Sequence, residues 1–171
     1  MREKLAERAL VDKVLLHKDA DAFAELYDIY VDRLYRFILL KVPKKEDAED
    51  IVSTVFLKAW DFLIRSDVSR VRHVQAFFYT TARNSIADWY RSRGSAQLIP
   101  VQEAENVVSE KKSEDVLSFD TLHAVRHLKQ EYQEIVLLRY VEGYSLLDVA
   151  RIVGKQPIAV RVTLHRALKK L

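Results

Sequence analysis

The sequence contains no cysteine, which excludes both disulfide bonds and thiolate metal sites. It has only three glycines and three prolines, as is typical of helical proteins, because both residues interrupt helices. No run approaches the roughly 18 apolar residues of a membrane span. The charged N-terminus MREKLAERALVDKVLLHKD also lacks the apolar segment of a secretory signal. We therefore expect a cytoplasmic protein, and the lack of cysteine suits a reducing compartment.

The composition is that of a globular chain, with 49% hydrophobic and 31% charged residues among 171. This length is sufficient for one compact core or for two small ones. The net charge of +3 is unevenly distributed, with +2 over residues 1–94, −4 over residues 95–120 and +5 over residues 121–171. Two basic segments therefore flank an acidic middle segment.

Helical periodicity divides the chain in the same way. Apolar residues recur at three and four residue steps from Phe23 to Ile38, which predicts a long amphipathic helix that Pro43 would stop. A second helix is expected from about Glu46, and a third over VQAFFYTTARNSIADWYRSR. The stretch GSAQLIPVQEAENVVSEKKSED loses the periodicity and is typical of a linker. With no strand pattern, we predict an all-α fold of two small helical domains joined by a flexible linker.

The C-terminal fifty residues carry a helix-turn-helix pattern. TLHAVRHLKQEYQEIVLLRYVEG predicts a helix that ends at Gly143. Ser145 then begins S-L-L-D, a capping box in which the hydroxyl and the Asp148 carboxylate would bind backbone donors. Gly154 can close this short helix in a left-handed conformation, and Pro157 suits the first turn of the next. The inward positions of that last helix are predicted to be Val160, Leu164, Ala167 or Leu168, and Leu171.

The outer face of the last helix suits a DNA major groove. It combines cations with small side chains: arginine can fork onto guanine, and Val162 can contact a thymine methyl group. A solvated basic face that closes a helical bundle is the alternative interpretation. The candidate duplex-reading residues are Ala159, Arg161, Val162, His165 and Arg166.

The stretch FFYTTARNSIADWYRSR, residues 77–93, mixes aromatic rings with arginines and an asparagine. Bases of a single strand stack on aromatic rings while arginines follow the phosphates, so this mixture fits unpaired DNA better than a duplex groove. Phe78 and Ile86 are eight residues apart and are interpreted as core. Arg83 and Arg91 have the same spacing and can form one basic ridge. Other residues are also hard to bury, namely Asn84, Asp88 and Arg93.

Four blocks of the chain resemble, in this order, the sigma-70 family of bacterial transcription initiation factors. They read AFAELYDIYVDRLYRFI, DAEDIVSTVFLKAW, FFYTTARNSIADWYRSR and EIVLLRYVEGYSLLDVARIVGKQPIAVRVTLHRALKKL. The short two-domain layout resembles the extracytoplasmic function group. The resemblance covers almost the whole chain.

The resemblance implies a division of the chain into region 2 over residues 1–94, an acidic linker over residues 95–115, and region 4 over residues 116–171. Region 2 would bind the clamp helices of core RNA polymerase and open the minus-ten element, and region 4 would read the minus-thirty-five element as duplex. The linker would pass through the polymerase, where its negative charge suits a cationic channel. An anti-sigma factor is an expected partner, and neither a catalytic residue, a metal nor another cofactor is required.

The resemblance also implies roles for particular residues. Asn84 matches the asparagine of the family's A-R-N pattern, which lies near the captured DNA strand. The residues that occupy recognition-helix positions are Arg161, Val162, His165 and Arg166. The candidate set for minus-ten single-stranded DNA is Asn84, Asp88, Trp89 and Arg91. The candidate set for core polymerase contact is Asp47, Asp50, Thr54 and Lys58.

The chain departs from the family pattern at three places. Ser53 and Thr54 stand where glutamine and glutamate are usual, Val162 is an apolar residue within the family's V-K-S-R-L-H-R-A pattern, and HLKQEYQEIVLL lacks the usual proline. The promoter sequence therefore cannot be transferred from relatives.

Two other functions fit parts of the sequence. His123, His127 and Glu131 at i, i+4 and i+8 have a spacing compatible with a metal site, but a solvated helix face, with Glu131 paired to His127, is the preferred interpretation. The second is a helix-turn-helix regulator that binds duplex DNA without polymerase. Such a regulator has no use for the aromatic stretch, which therefore favours the sigma factor.

Overall fold

The computed structural model describes residues 2–66, 71–94, 125 and 127–171, and these residues contain no β-strand. The predicted all-α fold and helix-turn-helix are confirmed, while the predicted linker at 95–115 lies outside the described residues. Seven α-helices are found within the described ranges. They are α1 Arg2–His17, α2 Ala20–Leu39, α3 Lys45–Arg65, α4 Val74–Ser92, α5 Gln130–Val136, α6 Leu146–Val153 and α7 Pro157–Leu168.

Helices α1–α4 surround an aromatic core. Tyr30 of α2 stacks on Phe78 of α4 with ring centroids 4.4 Å apart, and Phe37 meets Tyr79 edge to face at 5.0 Å. All four side chains are completely buried. Because burying one aromatic side chain stabilises a fold by about 1.5–3 kcal/mol, these two pairs fix α4 against α2.

A buried polar cluster ties α1 to the other helices. The Glu7 carboxylate accepts hydrogen bonds from the Tyr30 hydroxyl at 2.8 Å and from the Gln75 side-chain amide at 2.7 Å. Glu7 and Gln75 are both buried. Burial and the neighbouring charges raise the pKa of Tyr30 well above its ordinary value, so its hydroxyl stays a donor. The sequence did not predict α1 as a separate helix.

The helix that the pattern predicts over residues 121–143 is interrupted before α5, although Val125, ahead of the interruption, is helical. Residues 127–129 form a turn, and α5 starts at Gln130. It continues directly into a π-helical segment, Leu137–Val141. The spacing of apolar residues does not predict this segment. Gly143 follows with φ of 71°, and the amide of Tyr144 donates to the Leu138 carbonyl at 3.0 Å. The glycine therefore closes this helix as predicted.

The C-terminal helices pack on the N-terminal ones through α6 and α4. Arg83 of α4 donates to the backbone carbonyl of Ile152 in α6 at 3.3 Å. Tyr144, which precedes α6, meets Tyr79 edge to face with ring centroids 5.8 Å apart. Among the helices that the structure describes, none has the length and apolar character to cross a membrane.

Candidate functional site

Helix α4 presents three different faces. Phe78, Ala82 and Ile86 lie in the core, which confirms the interpretation of Phe78 and Ile86 as core residues. A second face, which includes Arg83, lies against α6. The third face is open to solvent and carries Asn84. The aromatic stretch therefore serves mainly to position α4, and its polar residues form the available surface.

The open face of α4 also carries a network of charges. The carboxylate of Asp88 accepts hydrogen bonds from Lys58 of α3 at 2.7 Å and from Arg91 at 2.5 Å. The hydrogen bond and charge of Lys58 hold the pKa of Asp88 below its ordinary value. Asp88 thus links two cations that were predicted to serve different partners.

Trp89 is only half buried and already has a cation against its ring. The Arg93 guanidinium carbon lies over the ring, 4.1 Å from the centroid, and Tyr90 meets it edge to face at 4.8 Å. Tyr90 in turn donates its hydroxyl to the Lys41 carbonyl at 2.6 Å. Trp89 therefore belongs partly to the packing around the end of α4.

The predicted polymerase surface lies along α3. Asp50, Thr54 and Lys58 are spaced at i, i+4 and i+8, so they share one face, and all three are exposed. The Thr54 hydroxyl donates to the Asp50 carbonyl at 2.9 Å. Leu57 lies beside them with 70% of its surface exposed. This exposure was not predicted, because an apolar residue is expected to be buried.

Asp47 differs from the rest of its predicted set. It is buried at 6% exposure, and its carboxylate accepts a hydrogen bond from Arg93 at 3.0 Å. The structure therefore places it between α3 and the end of α4, where it orients Arg93. A direct role in partner contact is not supported by this position.

The helix-turn-helix forms through the predicted local signals. The Ser145 hydroxyl caps α6 by accepting from the amide of Asp148 at 3.2 Å, Gly154 closes α6 with φ of 67°, and Pro157 is the first residue of α7. One detail of the predicted capping box is different. The Asp148 carboxylate accepts from the hydroxyl of Ser145 at 2.5 Å and from Lys4 of α1 at 2.5 Å.

Helix α7 buries one face and exposes the other. Val160 and Leu164 are buried, as predicted, and of the alternatives Ala167 and Leu168 it is Ala167 that is buried. The prediction of an inward Leu171 is wrong, because this residue is about half exposed. Ile158, with 78% exposure, extends the outer face by one turn before Val162. Ile158 was not predicted on this face, although it precedes Val162 by four residues. All five predicted duplex-reading residues are exposed, namely Ala159, Arg161, Val162, His165 and Arg166.

The possible metal site on the first C-terminal helix is not supported. His127 lies in the turn before α5, so it does not continue a helical face to Glu131. Glu131 instead pairs with Lys155. His123 lies outside the described residues. Within the described part of the chain, no group of three histidine or acidic side chains is placed to hold a metal ion.

Two family models match the chain, and together they cover most of it. Residues 26–96 match Sigma-70 region 2, and residues 119–171 match Sigma-70, region 4. The first match contains most of α2 and all of α3 and α4, and the second contains the helix-turn-helix.

Curated relatives give the same family. The chain is 34% identical over 159 residues to the ECF RNA polymerase sigma factor BldN of Streptomyces coelicolor, a match that covers 90% of this chain and 60% of BldN. It is 23% identical over 167 residues to the ECF RNA polymerase sigma factor SigW of Bacillus subtilis, covering 90% of this chain and 88% of SigW.

Solved structures share the fold. CnrH in complex with the cytosolic domain of CnrY matches with a TM-score of 0.68 and 22% identity over 96% of this chain and 94% of that one. The sigma factor RpoE in complex with the anti-sigma factor NepR from Bartonella quintana matches with a TM-score of 0.60 and 24% identity, covering 86% and 92%. The chain therefore belongs to the sigma-70 family of RNA polymerase sigma factors, in its extracytoplasmic function group.

Proposed function

We propose that this chain binds core RNA polymerase, directs it to specific promoters and helps to open the minus-ten element. Residues 1–94 would act as region 2, residues 95–115 as the acidic linker and residues 116–171 as region 4. This activity takes place in the bacterial cytoplasm and needs no catalytic residue in the chain. One observation carries the proposal: a formed helix-turn-helix and a polar face on α4 occur together in one chain.

Recognition of the minus-thirty-five element is assigned to α7. Its outer face carries Arg161, His165 and Arg166 on a helix held in place by three buried residues. Arginine can bind guanine through two parallel hydrogen bonds, and a good contact of this kind contributes about 1–3 kcal/mol of discrimination. Val162 supplies an apolar surface for a thymine methyl group.

Opening of the minus-ten element is assigned to the open face of α4. Asn84 can bind a base edge, while Arg91 attracts phosphates beside it. Base stacking on an aromatic ring contributes about 1–3 kcal/mol per base, so a few contacts can offset the unstacking of several base pairs. Trp89 is partly exposed and can add contact area for an unpaired base.

Binding to core polymerase is assigned to α3. Asp50, Thr54 and Lys58 form a polar row next to Leu57, so a partner helix would meet both charge and apolar surface. This combination is typical of protein interfaces, where an apolar centre lies within a polar rim. The solved complex of RpoE contains an anti-sigma factor, and we propose that a partner of that kind also covers surfaces of this chain.

The proposal is tested by adding the purified chain to bacterial core RNA polymerase with a randomised promoter library. Sequencing the transcripts should give starts that depend on the chain and two enriched elements at a fixed spacing. The absence of a complex with core polymerase, together with retained binding of duplex DNA, would instead favour a helix-turn-helix regulator.

A further inference from the structure

Two buried carboxylates of the C-terminal helices are held by cations of the N-terminal helices. Glu134 of α5 is paired with Lys41 at 3.2 Å and with Arg83 at 2.7 Å. Glu142, just after the π-helical segment, accepts two parallel hydrogen bonds from Arg36 at 3.0 and 3.1 Å. We call Arg33, Arg36, Lys41 and Arg83 the cation cluster.

Arg33 completes this cluster. Its Nε atom lies 3.7 Å from the Glu142 carboxylate, and its guanidinium donates to the Tyr144 hydroxyl at 3.3 Å. The two carboxylates are almost inaccessible, with side chains 6% exposed for Glu134 and 2% for Glu142. Buried charges of this kind need close partners of opposite sign, and here these partners lie on α2, on α4 and, for Lys41, in the turn just after α2.

The hydrogen bonds that the cation cluster makes to these carboxylates could equally be made to phosphates. An arginine fork binds a carboxylate or a phosphate through the same two parallel hydrogen bonds. The four cations that bind these two carboxylates therefore also suit phosphates of a nucleic acid backbone. The cluster lies beside the DNA surface already assigned, because Arg83 directly precedes Asn84 on α4. Lys41 and Arg83 also line a cleft of about 600 Å³ that Arg91 and Lys155 border.

Glu134 and Glu142 have to leave the cation cluster when one chain binds the minus-ten and minus-thirty-five elements at the same time. The elements are centred about 25 base pairs apart, and at about 3.4 Å per base pair this distance is about 85 Å. Helices α4 and α6, in contrast, are in direct contact through Arg83 and the Ile152 carbonyl. The two helix groups must therefore separate on DNA, which exposes the cation cluster.

We propose that the cation cluster is a second DNA site, one that binds backbone phosphates, and that Glu134 and Glu142 occupy it as phosphate mimics while the two helix groups are packed together. The proposal rests on the proposed function, which supplies the promoter DNA. It adds a binding surface on α2 and α4 that is separate from the recognition helix and from the open face of α4.

The test compares two variants that break the same ion pairs from opposite sides. One is Glu134→Gln with Glu142→Gln, and the other is Arg36→Gln with Arg83→Gln. Both should raise the radius of gyration in small-angle X-ray scattering, because both release the C-terminal helices. A charge-matched control, Glu25→Gln with Asp28→Asn, removes two exposed acids of α2 and should leave the radius of gyration unchanged.

The deciding measurement is the affinity of the full chain for a 30 base pair duplex of unrelated sequence, by fluorescence anisotropy at several salt concentrations without polymerase. We expect the glutamate variant to bind at least about fivefold more tightly than the charge-matched control. The slope of log K against log salt should steepen by about 0.9 for each additional phosphate that the protein neutralises. The arginine variant should show no such increase in affinity although it is equally open.

Equal affinities for the glutamate variant and its control would overturn the proposal, as would an equal increase in the arginine variant. Repeating the comparison with Arg161→Ala and Arg166→Ala also present separates this site from the recognition helix, since the increase should persist. Because polymerase is absent, the result does not depend on whether the chain initiates transcription. If a double variant does not fold, Glu142→Gln against Arg36→Gln makes the same comparison with one ion pair.

Discussion

The Nζ atom of Lys58 lies 2.7 Å from a carboxylate oxygen of Asp88, and this ion pair joins α3 to α4. The sequence assigned Lys58 to polymerase contact and Asp88 to minus-ten DNA. In the folded chain the two surfaces meet at this pair, and Arg91 binds the other oxygen of the same carboxylate at 2.5 Å. We therefore expect a partner bound at one surface to change the charge available at the other.

Asp88→Asn should strengthen the binding of single-stranded DNA. The substitution removes the anion that pairs with Lys58 and Arg91, so both cations become available to phosphates. Fluorescence anisotropy with a labelled oligonucleotide at low salt measures the change. Asp61→Asn is the matched control, because Asp61 holds Arg65 in a similarly exposed pair at 2.7 Å. Weaker binding in Asp88→Asn would show that the carboxylate itself contacts the DNA.

Arg161→Ala and Arg166→Ala should each weaken recognition of the minus-thirty-five element by about 1–3 kcal/mol where a base contact is lost. Both side chains are exposed on α7, so folding should be unaffected. Promoter-specific transcription measures the loss, and Arg65→Ala, an exposed arginine of α3, serves as control. Unchanged transcription in both variants would remove α7 from the recognition surface.

Asn84→Ala should slow promoter opening while leaving closed complexes intact. Asn84 is exposed on α4, and its amide is proposed to hold an unpaired base, which is available only after melting. Permanganate reactivity of the minus-ten thymines follows opening, and electrophoretic mobility at low temperature follows the closed complex. The melting temperature of the protein should not change. Normal opening rates would argue against a role for Asn84.

The contribution of Asp148 to stability should disappear at low pH. Burial alone would raise the pKa of Asp148, but hydrogen bonds from Lys4 and Ser145 outweigh it and hold the pKa below its ordinary value of 3.8. Since the folded chain binds the proton less readily than the unfolded chain, this contribution is present above pH 4 and declines as the pH falls through the lowered pKa.

Urea unfolding of the wild type and of Asp148→Asn between pH 3 and pH 6 measures this effect. The difference in free energy of unfolding should be constant at the upper end and should shrink below about pH 4. A difference that stays the same down to pH 3 would show that the carboxylate does not carry the stabilisation.

Local signals were sufficient to predict the helix-turn-helix. Ser145, Gly154 and Pro157 act on the backbone within a few residues of themselves, so their effects can be worked out from sequence spacing. The same holds for the core assignment of Phe78 and Ile86, which follows from helical periodicity.

Long-range pairs could not be predicted in this way. Asp47 is buried because it meets Arg93, which is 46 residues further along the chain. Arg36 and Glu142 are 106 residues apart, and their pairing depends on how the two helix groups pack. Periodicity identifies which face of a helix is polar, but it does not identify what that face meets.

The three faces of α4 make this helix intolerant of changes in length. Each added residue would rotate everything that follows by about 100° around the helix axis. An insertion before Phe78 would turn this ring out of the core, Arg83 away from Glu134 and Asn84 out of the solvent-exposed face at the same time. A substitution in α4 changes one of these surfaces, whereas an insertion shifts the helical register and so changes all three.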